Sequence, residues 1–184
     1  MNKLNMALIG ATCALISSQA AWGAASQIVN FGGEVTEGTC DISIPQGASF
    51  TFAKVSIDNL AAGKASEIQD LTTKITCATT NTPVVRISGA FLTGKNMIFR
   101  TSSSTSNQYG FMIGLKVAGV TAATFYDEDS AVLNYSSVSH GLTTGGAAAG
   151  STKEWTVGMV RASGNLTPRI GTVEALVTFS AEFK

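Results

Sequence analysis

The chain has 184 residues, 45% of them hydrophobic and only 13% charged, with no formal net charge. That length and composition fit one domain with ample material for a core, and exclude a disordered chain. Neutrality removes the clustered positive charge that nucleic acid or an anionic membrane surface would need.

Residues 1–25 read as a secretory signal peptide. Lys3 supplies the positive n-region, "MALIGATCALI" at 6–16 the apolar run, and "SSQAAWGAAS" the small-residue stretch. The apolar run is too short to span a bilayer, and no other stretch approaches that length. Cleavage after Ala25 puts Gly23 and Ala25 at the small-residue positions, and cleavage after Gly23 fits nearly as well. Cys13 leaves with this segment, so 26–184 keeps Cys40 and Cys77. One cysteine pair in an exported chain reads as a disulfide rather than a metal site or a redox motif. Closing a loop of that length stabilises by roughly 4 kcal/mol in the chain-entropy model.

In chain order, short alternating runs separate turn-rich loops. Strands are predicted at 28–35, 39–44, 50–57, 71–77, 84–91, 96–100, 110–117, 131–135, 155–161 and 172–183. The connections, such as "PQGAS", "AAGKAS", "TTNTP" and "ASGNLTPRIG", are turn chemistry. The nearest approach to a helical period, "NLAAGKASEIQDL" at 59–71, is interrupted by Gly63. Many short strands at even spacing predict an all-β sandwich or barrel.

Catalytic chemistry is missing from the inventory, and no cofactor or metal is expected. His140 is the single histidine and sits in "SVSHGLTTGG", which reads as a solvated loop. Asp127, Glu128 and Asp129 crowd together, but without the spaced ligands and glycine of a calcium loop they read as a solvated turn. "GGAAAGST" at 145–152 has Ser151 where a phosphate loop needs lysine, and the strand-like "KEWTVGMV" follows where a helix should open. The Ser/Thr run at 101–106 reads as an exposed loop, and the glycosylation patterns at Asn134 and Asn165 are of a kind common by chance.

The two ends of the exported chain carry the strongest patterns. Near the new N-terminus Gln27, Val29, Phe31, Gly33 and Val35 fall on one face. In the tail "GTVEALVTFSAEFK", Val173, Ala175, Val177, Phe179, Ala181 and Phe183 fall on one face, with a mostly polar set between them. "VNFGGEVTEGTC" resembles the opening of the chaperone–usher pilins, the subunits of type 1 and P pili: an apolar–polar arm with a glycine, a spacer, then the first cysteine of a disulfide. The tail resembles that family's C-terminal signature. Gly171 stands fourteenth from the end and Phe183 next to last, where the family usually has tyrosine.

The resemblance implies an incomplete immunoglobulin-like β-sandwich lacking its seventh strand, completed by donor-strand exchange. It implies a pilin domain at 26–184, with a donor arm at 26–38 and the incomplete sandwich at 39–184. Val29, Phe31, Gly33 and Val35 would enter a groove flanked by Gly171, Val173, Ala175, Val177, Phe179 and Ala181. Phe183 and the free carboxylate of Lys184 would meet a periplasmic chaperone. The implied function is a structural subunit of a surface fimbria, either a major rod pilin or a minor tip or adapter pilin, supporting cell adhesion. Its implied partners are sister subunits, the pilus chaperone and an outer-membrane usher. Its implied route is through the periplasm of a Gram-negative bacterium to the cell surface. The competing reading is a secreted, monomeric β-sandwich carbohydrate-binding module, and an exported hydrolase has only the lone histidine and scattered acids in its favour.

Overall fold

Alternation along a chain becomes a strand only where a neighbour accepts its main-chain groups, and most of the predicted runs find one. The structure, a computed structural model, describes residues 40–77, 83–140 and 151–182. The arm at 26–38, Phe183 and Lys184 lie outside these residues. In chain order the strands are β1 (Cys40–Ser43), β2 (Lys64–Cys77), β3 (Val84–Gly89), β4 (Phe91–Leu92) and β5 (Lys95–Phe99). They continue with β6 (Tyr109–Leu115), β7 (Ser137–Ser139), β8 (Ser151–Arg161) and β9 (Val177–Glu182). A 3₁₀ turn at Ile57–Asn59 and a single α-turn, α1 (Ala122–Phe125), are the helical pieces among the described residues.

The strands form two antiparallel sheets, one in the order β1-β2-β8-β6-β5-β4 and the other β7-β3-β9. They face each other as an immunoglobulin-like sandwich. Leu71 and Ile75 of β2, Ile113 of β6 and Trp155 of β8 pack with Val85 and Ile87 of β3 between the layers. The opposite face of the larger sheet has its own cover, because Phe125 of α1 packs with Ile98, Met112 and Val160. Both faces of β8 are therefore buried, which explains its near-continuous run of buried residues from Trp155 to Val160. Gly158 is required there: a Cβ would collide with the Phe125 ring. Cys40 and Cys77 lie directly opposite each other on β1 and β2 and form the predicted disulfide, with Cα atoms 4.0 Å apart.

Several local readings change. From Lys64 on, the helix-like spacing at 59–71 belongs to β2, where the register shifts between Ala65 and Glu67. That bulge moves the apolar positions from one parity to the other, so Ala65 and Ile68 share a face three residues apart. The run at 131–135 is a crossing between the sheets rather than a strand. Val132 bonds to the carbonyl of Ile113 in one sheet and Tyr135 to that of Ile87 in the other, at 2.8 Å each, and the strand forms only at β7.

His140 is not a solvated loop residue: it is 3% exposed, with Nδ1 2.5 Å from Ser151 Oγ and Nε2 3.3 Å from Thr73 Oγ1. Its sequence neighbours are loop-like, but the fold brings Thr73 to it from 67 positions away and Ser151 from eleven.

Candidate functional site: an open groove beside the last strand

The run 50–57 keeps its alternation without becoming a ladder strand. After a turn in which Gly47, with φ of 92°, donates to the Ile44 carbonyl, the chain runs extended past the edge of β2. It is held there by side chains. Glu67 accepts from the Ala53 amide at 2.7 Å, and Gln69 donates to the Thr51 carbonyl at 2.8 Å. Among the described residues no main-chain hydrogen bond joins 48–55 to another segment. Phe50 and Phe52 turn inward and are half-buried, and the Phe52 and Phe111 rings sit 5.1 Å apart.

Opposite this segment lies the tail. β9 pairs with β3 from Val84↔Glu182 to Gly89↔Val177, and among the described residues no strand pairs its other edge. Ahead of β9, Thr172 and Glu174 spend their main-chain groups on the 101–106 loop. The Thr172 and Glu174 carbonyls accept from Ser106 and Thr101, and their amides donate to Thr105 Oγ1 and Ser104 Oγ. In an extended chain successive residues point their main-chain groups to opposite edges. Those of Val173 and Ala175 therefore point away from that loop, to the open side.

Gly171 is explained by the same docking. A Cβ there would lie 2.5 Å from the Ser106 nitrogen and from Thr105 Oγ1, so only glycine lets the two backbones approach. The 101–106 run is correspondingly not a free loop: Ser104 and Ser106 are buried beneath the tail.

Between the two extended segments runs a groove made of two adjoining cavities of about 670 and 270 Å³. They share Phe50, Phe52, Phe111, Val173 and Glu174 in their walls. Val173, Ala175, Val177, Phe179 and Ala181 are each half-buried, while Thr172, Glu174, Leu176 and Thr178 are exposed. The inward set packs on the core without being covered by it. Phe179 meets Trp155 edge-on at 5.8 Å between ring centroids. Exposed core of this kind, flanked by unpaired main chain, can accept one more strand.

No family model matches the sequence, and no curated protein matches it either. Solved structures do. A chain from the structure of a chaperone–usher pilus, described for what it reveals of rod uncoiling, matches with a TM-score of 0.54 and 17% identity, over 86% of this chain and 96% of that one. The fold is that of a chaperone–usher pilus subunit. The P pilus rod subunit PapA also matches, with a TM-score of 0.49 and 17% identity over 85% of this chain and 100% of its own. So does a chain of the CsuC–CsuE chaperone–tip adhesin pre-assembly complex of Acinetobacter baumannii Csu pili, at 0.46 and 16% over 79% and 40%.

Of the alternating face singled out in the tail, Val173, Ala175, Val177 and Phe179 line the groove and Ala181 does not, and the opposite wall was not singled out in the sequence. Phe50 and Phe52 stood in a predicted strand and Phe111 in another, and nothing in either run shows that they face β9. The acidic triplet also carries more structure than a solvated turn. Glu128 accepts from Lys95 at 2.7 Å, from Tyr126 at 2.6 Å and from Ser163 at 2.6 Å, and Lys95 leads the contacts that hold its carboxyl down at about 2.

Proposed function

We propose that this chain is a structural subunit of a surface fimbria, assembled in the chaperone–usher manner by donor-strand complementation. The observation that carries the reading is the open groove. Its apolar floor is half-exposed, and among the described residues the 48–55 segment on one side makes no main-chain to main-chain bond with another segment and the outer edge of β9 on the other has no paired strand. Donor-strand complementation is a known form of strand addition, in which main-chain bonds give affinity and pockets for alternate side chains give specificity. In this reading the donor is the 26–38 arm of a sister subunit. Val29, Phe31 and Val35 fill successive pockets, and Gly33 passes where the groove is shallow. Burying those three side chains contributes on the order of 5–8 kcal/mol, before the cost of ordering the arm.

Before assembly the groove needs a temporary occupant. A periplasmic chaperone supplies that strand, with Phe183 and the Lys184 carboxylate at its contact, and an outer-membrane usher exchanges it for the next arm. The chain then travels through the periplasm of a Gram-negative bacterium to a fimbria that supports cell adhesion. Copy number decides its place: a fibre made mostly of this chain identifies a rod pilin, and one or few copies identify a tip or adapter pilin.

The test is complementation. The exported chain without 26–38 should aggregate or be short-lived alone, and a peptide copying 26–38, added or fused, should render it stable. A highly stable monomer without arm or partner would overturn the reading. Phe183→Ala should abolish chaperone co-purification and piliation, and normal pili from that variant would count against the proposed chaperone contact.

A further inference from the structure

The two ends of the sandwich differ. One end carries Cys40 opposite Cys77, Ile75 opposite Ser151 and Val84 opposite Glu182. The contacts of His140 with Ser151 and Thr73 join the two sheets there. At the other end β8 finishes on Arg161, paired with Lys64 and Tyr109, and the 162–171 segment leaves from it to return at Gly171 against Ser106. The wide cavity of the groove lies at this second end, with Val55, Ile57 and Ile170 in its wall.

That end presents hydrocarbon on a loop that is held in place. Ile170 is 80% and Leu166 71% exposed. The loop is pinned on both sides of Pro168. Asn107 donates to the Thr167 carbonyl at 3.0 Å and accepts from the Arg169 amide, and Arg169 donates through Nε to the Thr105 carbonyl at 3.0 Å. A backbone held in this way keeps the two aliphatic side chains in water instead of letting them fold back on the core. The apolar surface of the groove therefore continues outward past its mouth, where only a second molecule can cover it.

This inference rests on the donor-strand reading above, which also supplies the occupant. In that reading Val35 is the last apolar residue of the inserted arm, and five residue steps separate it from Cys40, a reach of at most about 18 Å. The body of the donor copy therefore stands against the acceptor at whichever end of the groove its arm leaves. If the arm left at the Glu182 end, the Cys40 ends of two copies would face each other. Each could then fill the other's groove, and such a closed pair cannot grow. If the arm leaves at the Gly171 end, every copy offers an arm at one end and a groove mouth at the other, the head-to-tail contact of an open filament. A fibre needs the second arrangement. We propose that Leu166 and Ile170 form a lip at the groove mouth on which the Cys40 end of a second copy rests. The lip is a subunit contact additional to the inserted arm, and it limits how freely one copy swings on the next.

A free peptide separates the lip from the groove, because it brings an arm without a body. Full exported chains carrying Leu166→Ser and Ile170→Ser should release neighbouring copies at least about tenfold faster, the factor for one aliphatic side chain losing its cover. The same chains should release a bound 26–38 peptide at an unchanged rate. Leu176 is 75% exposed but lines neither part of the groove, and Leu176→Ser should alter neither rate. Unchanged release of copies, an equal effect on the peptide, or an equal effect of Leu176→Ser would overturn the lip while leaving donor-strand assembly standing. Closed reciprocal dimers in place of ladders would overturn the head-to-tail geometry on which the lip depends. Full exported chains that form no oligomers and bind no 26–38 peptide would overturn both readings.

Discussion

Gly171 and His140 show how single residues serve this fold. The tail docks on the 101–106 loop at backbone distance, so Gly171→Ala forces the two segments apart. The expected loss is about 1–3 kcal/mol, read as a lower urea midpoint for the peptide-complemented chain. An unchanged midpoint would mean that the docking tolerates a methyl group.

His140 makes a different prediction. Its burial, joined by repulsion from Lys153, pushes the imidazole below its ordinary value of 6.5. The unfolded chain therefore takes up this proton before the folded one does. The stabilisation is whole above 6.5 and is lost as pH falls from there through the folded value. Melting temperature should fall between pH of about 7 and about 5, and His140→Gln should remove most of that slope. Glu128 does not contribute in this window, because its carboxyl, held at about 2 against an ordinary 4.5, loses its stabilisation only in stronger acid.

Among the elements, β1 is the most dependent on its covalent tie. It has four residues and, among the described residues, pairs only with β2, with Cys40 opposite Cys77 at the end of the ladder. Replacing both cysteines by serine should cost about 4 kcal/mol in the chain-entropy model, measured by urea denaturation against the oxidised chain. A loss well under 1 kcal/mol would mean that packing of Ile42 and Ile44 on the core already holds the strand. The element at 50–57 shows why alternation is not enough to make a strand. Its pleat is right, but side chains of Glu67 and Gln69 take the places that a ladder partner would fill. One free edge is thereby preserved beside β9.

For the whole molecule the consequence is a sandwich with a strand-shaped opening. Hydrogen exchange of the arm-deleted chain should find the amides of Val173 and Ala175 fast and those inside β2 and β8 slow. Adding the 26–38 peptide should slow the first set selectively. Equal protection before and after the peptide would mean that the edge is not the docking surface.

The all-β class, the cysteine pair and the inward face of the tail were legible from the sequence, because alternation and cysteine count are local or compositional signals. Val173, Ala175, Val177, Phe179 and Ala181 share a face for the same reason that any alternate residues on an extended chain do. The position of Phe50, Phe52 and Phe111 across from them was not legible, nor was the burial of His140. Those depend on which strands become neighbours and in what register, and such contacts join residues scores of positions apart. Alternation alone dictates that this chain makes strands and which face of each is apolar. Which apolar face stays uncovered is settled only when the strands assemble, because pairing is a property of two segments and the period of one segment says nothing about its partner.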